Sequence, residues 1–223
     1  RNKYAVWGGA VASEMLEWYR REYGAEAKRR AEAEGGSEWD YLMEQAAQSP
    51  LGARGAMFLP HLSGAGCPTV DARSLGAFVG LNAATTSGDM LRAIVEGLDY
   101  QFLDIVRAME GALDTTLERF VAIGGAVRNE FWMQNKADMV GRPIEVPELE
   151  EATPLGAALL AGLGVGLYRD EQEAFGRVQR PGRTYEPVAE HTARYADWFQ
   201  IYRQLYPALA PVSHRLFDAS KQP

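Results

Sequence analysis

The sequence predicts an α/β fold, because short apolar runs that stop at glycine pairs alternate with segments of helical apolar spacing. Three stretches carry this prediction. Tyr4-Ala5-Val6-Trp7 stops at Gly8-Gly9 and gives way to a helical pattern. Arg119 to Ile123 stops at Gly124-Gly125 and leads to a second one, Phe131 to Val140. Thr86-Ser87-Gly88-Asp89 has the form of a capping box. It opens the clearest helix in the chain, with Leu91, Ile94, Val95, Leu98, Phe102, Ile105, Val106, Met109 and Leu113 on one face.

In order along the chain, Ser13 is placed to cap a helix bearing Met15, Leu16, Trp18, Tyr19 and Tyr23. Ala25 to Glu34 is charged throughout and reads as a solvated helix that ends at Gly35-Gly36. Ser37 caps a helix with Trp39, Leu42, Met43 and Ala46 on one side, closed by Ser49-Pro50. Ala56 to Leu59 is a short buried strand. A loop rich in Gly and Pro follows, from His61 to Ser74, then a turn or short strand at Ala77 to Leu81. Asp71 reads as a turn residue and Asp89 as a helix cap.

The run ending at Gly124-Gly125 reads as a buried strand entering a tight turn. Glycine has no Cβ, so backbone there can approach a ligand closely, and amides at the following helix start favour a phosphate. The same pattern fits an ordinary turn. It is neither a Walker loop, lacking Gly-Lys-Ser/Thr, nor a dinucleotide fingerprint, lacking the third glycine. Pro143 to Val146 is another short strand. Thr153-Pro154 marks a helix start, with Thr153 as the cap, and Gly164 to Tyr168 ends that helix. Arg180 to Pro187 reads as a loop, and a last helix runs from about Glu190 to Leu205.

The bulk properties exclude several classes. A net charge of -7, from 23 basic and 30 acidic side chains, argues against a nucleic-acid surface. The single cysteine, Cys67, forms no internal disulfide and fits a reducing compartment such as the cytoplasm. Three scattered histidines and one cysteine give no zinc spacing. No apolar run reaches the roughly 20 residues of a membrane span. Arg1-Asn2-Lys3-Tyr4 is not a signal peptide, and the chain reads as beginning in the middle of something.

Together these segments resemble the C-terminal domain of the FGGY family of carbohydrate kinases. Gly76 to Glu96 has the form of the family's second signature, with Gly-Ala-Phe-Val-Gly-Leu, Asp89-Met90 and Ala93-Ile94-Val95-Glu96 in register. Phe58 to Gly64 is similar to its Leu-Pro-x-Leu-Ser-Gly segment. Gly124 to Asn129, with Trp132, Gln134, Ala137-Asp138 and Gly141-Arg142-Pro143 behind it, resembles its adenosine motif. Glu151 to Ala158 resembles its connecting helix, and Tyr4 to Trp18 resembles the start of its second domain. Ala65-Gly66-Cys67 replaces the family's usual charged pair, and Leu75 stands where many relatives have Arg. Both departures leave the subfamily open.

The resemblance implies a ribonuclease H-like, actin-like ATPase domain over residues 1–223, a mixed sheet with flanking helices and helical insertions. The loop and helix of 180–223 would pack on it. It implies an ATP-dependent sugar or polyol kinase with ATP and Mg2+ as cofactors. Adenine and ribose would rest on Gly124, Gly125 and Ala126, with Asn129 at the purine or ribose edge. Gly9 would face the nucleotide from the opposite side, with Ser13 or Glu14 adding a polar contact. In the family the Asp general base, the Gly-Thr-Gly phosphate turn and the sugar-binding domain all lie upstream of the position matched by Arg1. No Asp here matches the base, so no catalytic residue and no metal ligand is assigned, and this chain alone is expected to be inactive. A non-catalytic nucleotide-binding module built on the same fold is the alternative. Relatives are often dimers, which leaves a homodimer open.

Overall fold

The structure, a computed structural model, describes residues 13–149, 151–178, 180 and 182–221. In chain order its elements are α1 (Ser13–Tyr23), α2 (Ala25–Glu34), α3 (Glu38–Gln48), β1 (Met57–Leu59), β2 (Ala77–Val79), α4 (Ser87–Leu113), β3 (Phe120–Val121), α5 (Glu130–Val140), β4 (Ile144–Val146), α6 (Ala152–Gly164), α7 (Glu171–Val178), β5 (Arg183–Tyr185) and α8 (Ala189–Ser220). Helices and small sheets thus make a mixed α/β chain. It divides into two compact units, Arg1–Leu117 with Ala189–Pro223, and Glu118–Val188.

In the first unit, local capping sets the helix starts. Ser37 Oγ accepts the Trp39 amide at 3.2 Å, while the Ser37 amide donates to Asp40. Thr86 and Asp89 exchange the same pair of bonds at the start of α4, at 3.1 and 2.8 Å. Only Ala27 of α2 is buried, as the charge pattern of that segment requires. β1 and β2 pair antiparallel, Phe58 opposite Phe78.

The core of this unit is α4. The apolar face predicts burial on one side, and Leu91, Ile94, Val95, Leu98, Ile105 and Val106 are indeed buried. Leu91, Ile94 and Val95 each contribute roughly 1.5–3 kcal/mol. The structure goes further, since every residue from Leu91 to Gln101 is buried. α1, α3, β1 and α8 surround the helix and leave it no solvated face in this stretch. Gly97 permits that closeness: a Cβ there would lie 2.4 Å from the Phe58 carbonyl oxygen.

The last helix differs from its expected end at Leu205. It continues to Ser220 through Pro207 and Pro211. Each proline deletes one backbone hydrogen bond, but side chains pin the extension to the loop after β1. Tyr206 donates to Asp71 Oδ2 at 3.0 Å, His214 Nε2 lies 2.6 Å from the same oxygen, and Arg73 pairs with Asp218.

In the second unit, β3 runs parallel to β4, and β5 pairs antiparallel with β4. The segment expected to be a loop therefore contains a strand, β5. The expected buried strand is reduced to Phe120–Val121, with Val121 51% and Ile123 54% exposed. Gly124, at φ 95° and ψ −175°, turns the chain out of the strand before it can lengthen. α6 begins one residue before the expected cap, so Thr153 lies inside its first turn, and Glu151 in the cap position makes no side-chain capping bond. Pro154 is tolerated there because first-turn amides have no helical partner. α7 has too few apolar residues to set a helical period in the sequence. No helix among the described residues is long and apolar enough to cross a membrane.

Candidate functional site

The candidate site in the second unit is built by the turn after β3. Ala122 N donates to Glu145 O at 2.8 Å, which is the last rung between the strands. Arg119 locks the same pair from the side, its guanidinium meeting both Glu145 oxygens at 2.8 and 2.7 Å. That partner holds the Glu145 carboxyl below the usual carboxylate range. The chain then leaves the sheet at Gly124, whose conformation is open only to glycine.

Gly125 to Arg128 form a single 3-10 turn. The expected strand, turn and helix thus gain one tight turn between glycine and helix. It is closed by Val127 N on Gly124 O and Asn129 N on Ala126 O. Gly124, Gly125 and Ala126 are all exposed, and a Cβ built on either glycine meets nothing within 4 Å. The turn therefore presents bare backbone, beside the exposed Val121 and Ile123 side chains, at the carboxyl end of a parallel strand.

Asn129 caps α5. Its Oδ1 accepts the Trp132 amide at 2.8 Å, so the carbonyl half of the side chain is committed to the helix start. The amide nitrogen is the end that could meet a ligand. α5 is anchored behind the turn. Gln134 Nε2 donates to Asp138 and to Glu186 O, both at 2.8 Å, and Asp138 accepts the Val188 amide. Trp132, Met133 and Ala137 are buried beneath it.

The structure thus gathers Gly124, Gly125, Ala126 and Asn129 into one exposed turn. Ser13 is the first residue of α1, in the other unit, and Gly9 lies outside the described residues. Among the described residues no group of three or more His, Cys, Asp or Glu side chains is placed to hold a metal.

The first unit holds polar clusters that sequence reasoning missed. Glu96, 2% exposed, accepts Arg92 Nε at 2.7 Å, Gly52 N at 3.0 Å and the Tyr195 hydroxyl at 2.8 Å. Burial pushes its carboxyl up, against the pull of Arg92. Asp89 also serves beyond its cap, accepting Ser49 Oγ at 2.6 Å with Arg54 close by. Asp71 makes the turn expected of it through Arg73 N at 3.0 Å, but it also holds α8. His214, then the Arg73 amide, bring its carboxyl down to about 2. His61 Nδ1 meets Ser74 Oγ at 2.7 Å, and burial lowers its imidazole to about 4, Asp71 opposing. Arg92 and Glu96 stand one helical turn apart, but no local pattern announces Gly52 and Tyr195 on Glu96, Ser49 on Asp89 or His214 on Asp71, because those partners lie far apart along the chain.

Comparison with known proteins bears on this arrangement. The model of the FGGY family of carbohydrate kinases, C-terminal domain, matches residues 2–165. A xylulose kinase of Staphylococcus epidermidis is 30% identical over 168 residues, covering 75% of this chain and 34% of its own length. A glycerol kinase of Ralstonia pickettii is 35% identical over 209 residues, 92% of this chain and 40% of its own. Among solved structures, ligand-bound xylulose kinase from Lactobacillus acidophilus matches with a TM-score of 0.76 at 26% identity, over 92% of this chain and 39% of that one. Plasmodium falciparum glycerol kinase with ADP matches at 0.69 and 22% identity, a likeness of fold. The chain spans about a third of the length of that xylulose kinase and about two fifths of that of the Ralstonia pickettii glycerol kinase.

Proposed function

Since the chain belongs to the FGGY family of carbohydrate kinases, as its C-terminal domain, we propose that it supplies the ATP/ADP-binding half of an enzyme phosphorylating a sugar or polyol hydroxyl. One observation carries the reading: an open Gly124-Gly125 turn at the carboxyl end of a parallel strand, leading into a capped helix. Ligands of open α/β sheets bind at such strand ends. We read the fold as ribonuclease H-like and actin-like, with residues 1–223 forming one such domain. A single cysteine fits a cytoplasmic setting.

The residues fit the nucleoside. The space over Gly125 is free for a flat ring, and Val121 and Ile123 offer apolar surface beside it. The Asn129 amide nitrogen would donate to a purine or ribose acceptor while its carbonyl keeps α5 in place. Mg2+ would arrive with the phosphates of ATP, whose γ-phosphoryl group is the one transferred. The contribution of this chain is positioning, which together with electrostatic stabilisation makes up most of phosphoryl-transfer catalysis. The acceptor and the carboxylate base that deprotonates it would belong to the rest of the kinase.

Calorimetric titration of Mg-ADP into the chain tests this reading. Binding with Kd on the order of 0.1–1 mM, about 4–5.5 kcal/mol, is expected, without phosphoryl transfer to ketoses or polyols. Absence of ADP binding would refute the nucleotide reading. Sugar phosphorylation by the chain alone would refute the assignment of the base to the rest of the kinase. Binding without transfer in the whole polypeptide would mark a non-catalytic module instead.

A further inference from the structure

A cavity of about 240 Å3 lies within the first unit, between the loop after β1 and helices α4 and α8. It is smaller than the roughly 300–1,000 Å3 typical of drug-sized ligand pockets, so its occupant is small. It does not involve the Gly124-Gly125 turn, which belongs to the other unit.

The chemistry of its wall is specific. Gln101, 6% exposed, has an Oε1 with no hydrogen-bond partner, a costly state for a buried carbonyl. The last torsion of glutamine is soft, so the amide can turn either end towards a ligand. Asp104 and Arg203 face each other with Oδ1 and Nε 3.5 Å apart. That distance is too long for a good hydrogen bond, so both keep capacity for a third group between them. Burial raises the Asp104 carboxyl and Arg203 opposes this. Tyr202 and Tyr206 give aromatic surface. His61, lowered to about 4, is uncharged near neutral pH.

Charge balance selects the ligand class. One carboxylate faces one guanidinium beside a neutral imidazole, so the wall offers little preference for an anion or a cation. Its polar groups include a carboxylate that accepts, a guanidinium that donates and an amide that can do either, a set that hydroxyls, which both donate and accept, satisfy without adding charge. We propose that this cavity binds a small uncharged polyhydroxylated molecule, a polyol or monosaccharide, through Gln101, Asp104 and Arg203. Vicinal hydroxyls bridge Asp104 and Arg203, and a third hydroxyl satisfies Gln101. This site is separate from the nucleotide turn and does not depend on the assignment of that turn.

Cys67, the only cysteine in the sequence, borders the cavity and is partly exposed, so it reports occupancy. Its alkylation by iodoacetamide, followed by intact mass, is measured with glycerol, xylitol or D-xylose, each rate normalised to free cysteine in the same solution. Xylitol or D-xylose should slow the reaction saturably, by about threefold at a concentration twice Kd, where two thirds of the chain is occupied. Protection by xylitol alone identifies an open-chain polyol, and protection by D-xylose alone a ring sugar. Gln101→Leu and Asp104→Ala, each checked for an unchanged circular dichroism spectrum, should abolish the protection. A variant that fails to fold leaves the other and direct calorimetry with the unaltered chain to decide. No saturable slowing by any probe, equal slowing in the variants, or protection by inorganic phosphate instead would overturn the proposal.

Discussion

Replacing Gly125 by valine separates binding from folding at the candidate site, and replacing its neighbour supplies the control. Gly125 has no positive φ, and a Cβ there meets nothing within 4 Å. Valine is somewhat better than glycine in a helical turn, so Gly125→Val should leave stability within about 0.5 kcal/mol of the parent. Its two methyl groups, however, occupy the space assigned to the nucleoside. ADP affinity should fall at least about tenfold, or 1.4 kcal/mol. Gly124→Val acts differently. At φ 95° and ψ −175° a side chain is strained whatever the space, so it should cost about 1–3 kcal/mol of stability. Urea unfolding measures the stabilities and isothermal calorimetry with Mg-ADP the affinities. Unchanged ADP affinity in Gly125→Val would remove the turn from the site. A stability loss in Gly125→Val as large as in Gly124→Val would refute the conformational argument.

Two further outcomes concern the first unit. Arg92→Met leaves Glu96 charged, buried and without its cationic partner, and should cost about 3–5 kcal/mol in urea unfolding. Adding Glu96→Gln removes that charge while keeping an acceptor for Gly52 N and Tyr195, so the double variant should recover over half the loss; simple additivity would sink the pairing argument. His61 tests pH dependence. Its folded value of about 4 lies below the ordinary 6.5, so the unfolded chain binds the extra proton first. Its contribution is complete above about pH 6.5 and is lost as pH falls towards 4, about 3 kcal/mol in all. His61→Asn should flatten the stability profile between those limits by that amount, and an unchanged profile would show that His61 is not held neutral in the folded chain.

Local chemistry was legible in the residues. Ser37 and Thr86 cap where a side-chain oxygen precedes an apolar period, and Gly35 after α2 and Gly166 after α6 turn the chain at positive φ, where no side chain opposes the turn. The Gly124-Gly125 turn was legible for the same reason, since two glycines after a β-prone run leave the backbone few other uses. The cap that Asn129 makes on α5 is not legible in the sequence, because a ligand contact and a helix cap suit an amide in that position equally well.

The sequence by itself determined the α/β class, most helix starts, the family and the stretch that forms the candidate turn. All of these rest on interactions between residues a few positions apart or on ordered motifs. Tertiary structure decided how far β3 extends, how α8 survives two prolines and why Arg92 and Glu96 are buried. It also paired Asp71 with His214 and enclosed the cavity beside Gln101. Each of those depends on groups brought together across the chain, where the free energy of a contact belongs to both partners and neither one's local sequence carries it.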